Sequence, residues 1–263
     1  MHMTLAHSIN PEAAAEVNRR LSAIEAENDV RILLAVESGS RAWGFESPDS
    51  DYDVRFIYVR PRDWYLQLER GRDVIETPIE LPWDINGWDI TKTLGLMLKS
   101  NAVVLEWLTS PIVYERDTAA TDKLLAFADE ALQPSALRHH YKRLAVRQWD
   151  TFISGRTEVA RKKYLYALRP ALTLMHLRLH NGVPPMSLPA LVAALPLDDD
   201  VREAIATFIA AKRLAKETGL GEREPLFDRI IRSEIEAATL MDTPSPSPER
   251  LEKANRLLLQ ILG

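Results

Sequence analysis

One segment, residues 37–55, limits the possible folds of this chain more than any other: Glu37-Ser-Gly-Ser-Arg-Ala-Trp-Gly-Phe-Glu-Ser-Pro-Asp-Ser-Asp-Tyr-Asp-Val-Arg55. The run before it, Val30 to Val36, is short, apolar and rich in β-formers, which predicts a buried strand. Gly39 and Ser40 then make a turn leading into a short helical turn, and Ser47-Pro48-Asp49-Ser50 reads as a loop. Tyr52 to Val59 predicts a second strand. Side chains alternate along a strand, so Asp51, Asp53, Arg55 and Ile57 share one face, while Tyr52, Val54, Phe56 and Tyr58 share the other. Neighbouring carboxylates on one face repel each other unless a cation sits between them, so Asp51 and Asp53 are candidate ligands of a divalent metal. The Gly-Ser turn supplies backbone N–H groups and a hydroxyl, which suit a phosphate. Together these are the minimum set for metal-assisted phosphoryl or nucleotidyl transfer.

The 263 residues suffice for a full core and for two domains. No cysteine is present, which removes disulfides and thiolate metal sites. Met1 to Asn10 lacks the apolar run of a signal peptide, and no run of about 18 apolar residues predicts a membrane span, so a cytoplasmic location is expected. The net charge of −5 gives no global nucleic-acid footprint. Its distribution is uneven: between Arg138 and Arg169 nine Lys and Arg stand against two acids, Asp150 and Glu158. A basic segment set against an acidic one suits a polyphosphate; a solvated helical face is the plainer reading of the same charges.

Asn10-Pro11-Glu12 has the order of a helix start, with the helix running to about Glu27. A short helix is expected within 61–71, strands over 74–77 and 81–90, helices over 91–99 and 103–108, and a brief strand over 112–114. The first half is therefore mixed α/β. From about Thr118 the pattern is nearly all helical, with helices expected over 121–132, 135–153, 158–180, 188–195, 199–217, 223–239 and 248–262. The loop Thr243 to Pro248 is polar and Pro-rich. The fold class expected is α+β: a mixed sheet with helices over residues 1–117, followed by an all-helical domain over 118–263.

The order strand, Gly-Ser, short helix, loop, strand with Asp-x-Asp resembles the minimal nucleotidyltransferase domain of the DNA polymerase beta superfamily. The resemblance narrows to one subgroup, the predicted nucleotidyltransferases of the RNA repair pathway DNA polymerase beta family. Ser50-Asp51-x-Asp53-x-Arg55 fits it, and Lys92, Asn101, Leu105 and Glu106 match its Lys…Asn-Pro…Leu-Glu pattern, with Ala102 in place of the usual Pro. In the helical half, Arg161-Lys-Lys-Tyr-Leu-Tyr-Ala-Leu-Arg169 is similar to its Lys-x-x-x-aromatic/His-x-x-Arg motif. The resemblance covers about residues 33 to 185.

The resemblance implies that Gly39 and Ser40 contact nucleotide phosphates. It implies that Asp51 and Asp53 bind two divalent ions, expected to be Mg²⁺, and that a third carboxylate on a later strand completes the site. Two such ions, about 3.5–4 Å apart, activate a hydroxyl and neutralise the transition state. Asp84 and Asp89 are the candidates for the third carboxylate, and Asp84 is preferred. Asp89 directly precedes a helix and reads equally as its N-cap. Five residues apart, the two face opposite ways on an unbroken strand; a bulge at Gly87 would change that. Arg41 and Arg55 flank the carboxylates, as phosphate contacts or as plain ion-pair partners.

Lys162, Tyr166 and Arg169 fall at i, i+4 and i+7, one stripe of a helix, where two cations and an aromatic could hold a triphosphate and stack a base. Lys163 is the alternative cation. Glu37 could support the Gly-Ser turn, and Glu106 is read as a helix contact. His176 and His180 are read as helix-surface residues, and Trp43, Trp83 and Trp88 as packing. The reaction implied is transfer of a nucleoside monophosphate from an NTP to an acceptor hydroxyl, with release of pyrophosphate. The family name points to an RNA end as acceptor. A protein that receives AMP, as in toxin–antitoxin systems, and a small molecule are the alternatives. A non-catalytic nucleotide sensor fits less well, because the Asp51/Asp53 pair is complete.

Overall fold

A computed structural model describes residues 9–214, 219–238 and 247–263. Residues 1–8 of the segment read as lacking a signal peptide, and most of the 243–248 loop, lie outside the described residues. By packing, the described chain falls into two compact units: residues 9–42, 51–132 and 247–263, and residues 43–50, 133–214 and 219–238.

The first unit opens with α1 (Pro11–Asn28), capped by the Asn10 side chain, which accepts the Glu12 N–H at 2.9 Å. Its apolar stripe of Ala13, Val17, Leu21 and Ile24 is buried. Next come β1 (Arg31–Glu37), the single helical turn α2 (Gly39–Ala42), β2 (Tyr52–Val59), α3 (Arg62–Tyr65), β3 (Val74–Glu76), β4 (Trp83–Asp89), α4 (Ile90–Met97), α5 (Ala102–Leu108), β5 (Val113–Arg116) and α6 (Thr118–Ala131). The five strands form one mixed sheet in the order β3-β4-β2-β1-β5. Strands β2 and β4 run parallel, and the other neighbours are antiparallel. This is the α+β class expected.

The alternation read from β2 sets the core. Val54, Phe56 and Tyr58 are buried with Val17, Leu21 and Ile24 of α1 and with Ile85 of β4. Each fully buried chain of this size contributes about 1.5–3 kcal/mol. The β2–β4 register is continuous from Tyr52 opposite Trp83 to Tyr58 opposite Asp89, so Gly87 marks no bulge. A side chain at Gly87 would stand 2.3 Å from the Phe56 ring, so glycine is there to let that ring lie against the backbone.

Packing also groups the chain differently from a division after residue 117. Helix α6 stays with the sheet: Leu124 is fully buried, and the Thr121 hydroxyl donates to the Leu33 carbonyl of β1. The C-terminal helix Pro248–Leu262 packs on α4 and α6.

The second unit contains α7 (Pro134–Phe152), β6 (Glu158–Ala160), α8 (Arg161–Leu179), α9 (Leu188–Ala194), α10 (Asp199–Leu214), β7 (Leu220–Glu222) and α11 (Pro225–Ala237); the C-terminal helix is α12. The half expected to be all helical thus includes a two-stranded ribbon, β6 with β7, and α8 starts three residues later than expected. Residues 43–50 belong to this unit because Phe45 is fully buried in its core and the Trp43 carbonyl accepts the Leu188 N–H at 2.9 Å. Among the described residues, no helix is long and apolar enough to cross a membrane.

Candidate active site

Asp53 and Asp84 are opposite each other on the parallel strands β2 and β4. Parallel neighbours in register share a face, so both carboxylates project from the same side of the sheet. Arg55, two residues after Asp53, joins them: its guanidinium donates to Asp84 Oδ2 at 2.7 Å, to the Asp84 carbonyl at 2.7 Å and to Asp53 Oδ1 at 3.3 Å. The Asn86 side chain reaches Asp84 Oδ1 at 3.4 Å. Burial raises the Asp53 pKa; Arg55 opposes this, and Asp84 and then Asp51 add to it.

Asp89 is used differently. It is fully buried; its Oδ1 accepts the Thr91 N–H at 2.8 Å and its Oδ2 accepts the Tyr65 hydroxyl at 2.8 Å. It is the N-cap of α4, opposite Tyr58 rather than Asp53. The structure therefore brings Asp84, and not Asp89, beside Asp53.

The turn between β1 and β2 is fitted to the same carboxylate. Gly39 has φ +59°, and a Cβ there would lie 1.9 Å from Asp53 Oδ2. Only glycine combines that backbone with so close an approach. The Ser38 N–H donates to the Asp53 carbonyl at 2.8 Å. In return, the Asp53 N–H donates to Glu37 Oε1 at 2.8 Å. Glu37 is fully buried, and Tyr114 of β5 donates its hydroxyl to Oε2. Burial pushes the Glu37 carboxyl up to about 7, against the pull of the Tyr114 and Asp53 hydrogen bonds. Arg41 is placed by its Nε donating to the Asp51 carbonyl at 3.0 Å and by its guanidinium lying 3.9 Å from the Tyr52 ring centre. Ser40 lies in α2, and Asp51 is exposed just before β2.

The donors around Asp53 are all hard oxygens, which suit a divalent ion such as Mg²⁺. No three His, Asp or Glu side chains among the described residues are already grouped as a metal site. Arg55 supplies the positive charge between Asp53 and Asp84, and an ion taking both carboxylates would exchange with it. Repulsion among Asp51, Asp53 and Asp84, felt in the raised Asp53 pKa, is what such an ion would relieve. The residues fit the ion by chemistry.

In the second unit, α8 carries Lys162, Lys163, Tyr166 and Arg169. The Tyr166 ring meets Phe45 at 5.5 Å and Trp43 at 5.9 Å between centroids. Lys163 Nζ lies 3.7 Å from the Phe152 ring centre and 5.8 Å from that of Tyr166. Burial, then Lys162, lowers the Lys163 pKa. Arg169 is buried, with Nε donating to the Met186 carbonyl at 3.0 Å and its guanidinium 4.5 Å from the Trp43 ring centre. Tyr166 and Arg169 therefore meet the same ring, Trp43. Lys212 of α10 lies on the same aromatic group and was not singled out in the sequence. The signal was present: Val201, Ile205 and Ile209 make the apolar stripe of α10, and Lys212 continues it.

Lys92 pairs with Asp73 at 3.3 Å, and Asn101 caps α5 by accepting from the Val103 and Val104 N–H groups. Ala102 is the first residue of α5, where proline is common and alanine is equally at home, so its departure from the family pattern leaves the helix start intact. Trp88 stacks on Trp107 at 4.0 Å, and Trp83 on Tyr52 at 4.7 Å.

A model of the RNA repair pathway DNA polymerase beta family matches residues 13–260. The chain is 41% identical over 241 residues to the uncharacterized protein YcgL of Bacillus subtilis (strain 168), covering 91% of this chain and 92% of that one. A crystal structure of a nucleotidyltransferase-like protein from Exiguobacterium sibiricum 255-15 aligns over 93% of this chain and 79% of its own, at 12% identity and a TM-score of 0.31.

Proposed function

The chain belongs to the RNA repair pathway DNA polymerase beta family, a family of nucleotidyltransferases, and on that premise we propose that it moves a nucleoside monophosphate from an NTP to the hydroxyl of an RNA end. The observation that carries the reading is Asp53 in register with Asp84, beside a glycine that a side chain would drive into Asp53. In the reaction, the acceptor oxygen bonds to the α-phosphorus, the bond from that phosphorus to the bridging oxygen breaks, and pyrophosphate leaves.

Asp51, Asp53 and Asp84 would hold divalent cations, Mg²⁺ by their oxygen chemistry. Such ions, when bound, lower the pKa of the attacking hydroxyl and neutralise charge on the transferring phosphoryl group. Gly39, Ser40 and Arg41 bind the phosphates from the turn after β1. Glu37 fixes the backbone of Asp53, and Arg55 balances the carboxylates before substrate arrives. Lys162, Lys163, Tyr166 and Arg169 bind nucleotide from the helical unit.

The test is incubation of the protein with each α-labelled NTP, Mg²⁺ and total RNA, beside an Asp51→Ala/Asp53→Ala double variant. Label on RNA with the wild type alone is the expected result. Label on a protein band, or on a small molecule supplied instead of RNA, would overturn the RNA acceptor while keeping nucleotidyl transfer.

A further inference from the structure

Lys212 is a buried charge that the site described so far leaves unused. It has 5% exposure on the inward stripe of α10. Its ammonium lies 4.7 Å from the ring centre of Phe45 and 5.2 Å from that of Tyr166. Among the described residues, no hydrogen-bond acceptor or ion-pair partner reaches that ammonium. The charged groups that act on it are Glu46, Lys162 and Asp49. Glu46 already faces Arg213 Nε at 3.4 Å, and Asp49 is exposed. Burial, the largest influence, pushes the Lys212 ammonium down to about 8.

An ammonium drawn largely out of water by its buried side chain, with no acceptor among the described residues, is destabilising, and contacts with two ring faces offset only part of the cost. The missing partner is an anion. Lys162 acts on the same ammonium as a like charge, so the anion that fits carries more than one charge and several oxygens.

We propose that Lys212, with Lys162, forms a polyphosphate-binding site in the helical unit, walled by Phe45 and Tyr166. Resting on the nucleotidyl-transfer reading, its occupant is the triphosphate of the incoming nucleotide or the pyrophosphate that leaves. The aromatic rings hold the lysine stem and exclude water, and the ammonium donates to phosphate oxygens.

The test is calorimetric titration of the wild type, Lys212→Gln and Lys212→Arg with tripolyphosphate, pyrophosphate and adenosine, without added metal and alongside thermal melts. Tripolyphosphate or pyrophosphate should bind the wild type. Lys212→Gln should weaken that binding by about tenfold or more, as expected for the loss of a charged hydrogen bond. Lys212→Arg should keep it within about threefold of the wild type, since the charge remains. Preference for tripolyphosphate would assign the incoming nucleotide, and preference for pyrophosphate the product. Polyphosphate binding that is unchanged in Lys212→Gln, or absent from the wild type, would overturn the site. If Lys212→Gln does not fold, weak binding by a folded Lys212→Arg would overturn it as well. Transfer activity together with Lys212-independent binding would sink this site alone. Lys212-dependent binding without transfer would sink the transfer reading and leave the site standing.

Discussion

The carboxylates of the sheet unit and the cations of the helical unit are charged groups held by opposite means. Asp53 and Asp84 are placed by strand register, and their charges already meet a counter-charge in Arg55. Lys212 is placed by the apolar stripe of a helix and buried against rings. The first arrangement carries its counter-charge within the sheet. The second faces two rings and no hydrogen-bonding carboxylate among the described residues. A sheet positions charge through backbone pairing, whereas a helical bundle does so only by committing a whole face to it.

The sharpest way to break this contrast is to set Asp84 against Asp89. Asp84→Asn should cut transfer by about 100-fold or more while changing stability by less than about 1 kcal/mol, because its ion pair is part-exposed. Asp89→Ala should do the reverse. It removes the α4 cap and the buried Tyr65 hydrogen bond, so urea denaturation should show a loss of about 2 kcal/mol or more, with transfer per folded molecule nearly intact. Loss of transfer in Asp89→Ala with activity kept in Asp84→Asn would reverse the assignment.

Gly39→Ala comes next. The added methyl meets Asp53 and the backbone is left-handed, so transfer should fall about tenfold or more and stability by about 1 kcal/mol or more. A variant with wild-type rates would show that the turn is not fitted to Asp53.

A smaller effect of opposite sign is expected at Lys212. Its pKa in the folded chain, about 8, is below the ordinary 10.5, so between these values the unfolded chain holds a proton that the native chain has lost. Stability should therefore rise as pH goes from about 8 to about 10.5, and below about 8 the full cost of the buried charge is present. Lys212→Met should remove that rise and stabilise the protein at pH 7 by about 1–2 kcal/mol, as unfolding curves across this pH range would show. A destabilised Lys212→Met would mean that the ring contacts alone account for the lysine.

Much of the sheet unit was legible because alternation in β2 separates Asp51, Asp53 and Arg55 from Val54, Phe56 and Tyr58. Asp84 was preferred over Asp89 from the sequence, but its place beside Asp53 depends on β4 pairing with β2 in parallel and in register, which is a long-range fact. A bulge was one option for Gly87 from its position in a strand; it answers instead to the Phe56 ring on the neighbouring strand. The ribbon of β6 and β7 was hidden because three-residue strands carry no periodicity of their own. The assignment of residues 43–50 to the helical unit was hidden too, because it rests on Phe45 finding a core built by residues more than a hundred positions away.

The most direct test of the central claim is the Mg²⁺-dependent rate of transfer from an α-labelled NTP, compared between the wild type and Asp53→Asn. This substitution preserves size and removes the charge. The account predicts Mg²⁺-dependent transfer by the wild type and loss of at least about 100-fold in the variant, with an unchanged melting curve. Equal rates in the two proteins, or transfer indifferent to Mg²⁺, would contradict it.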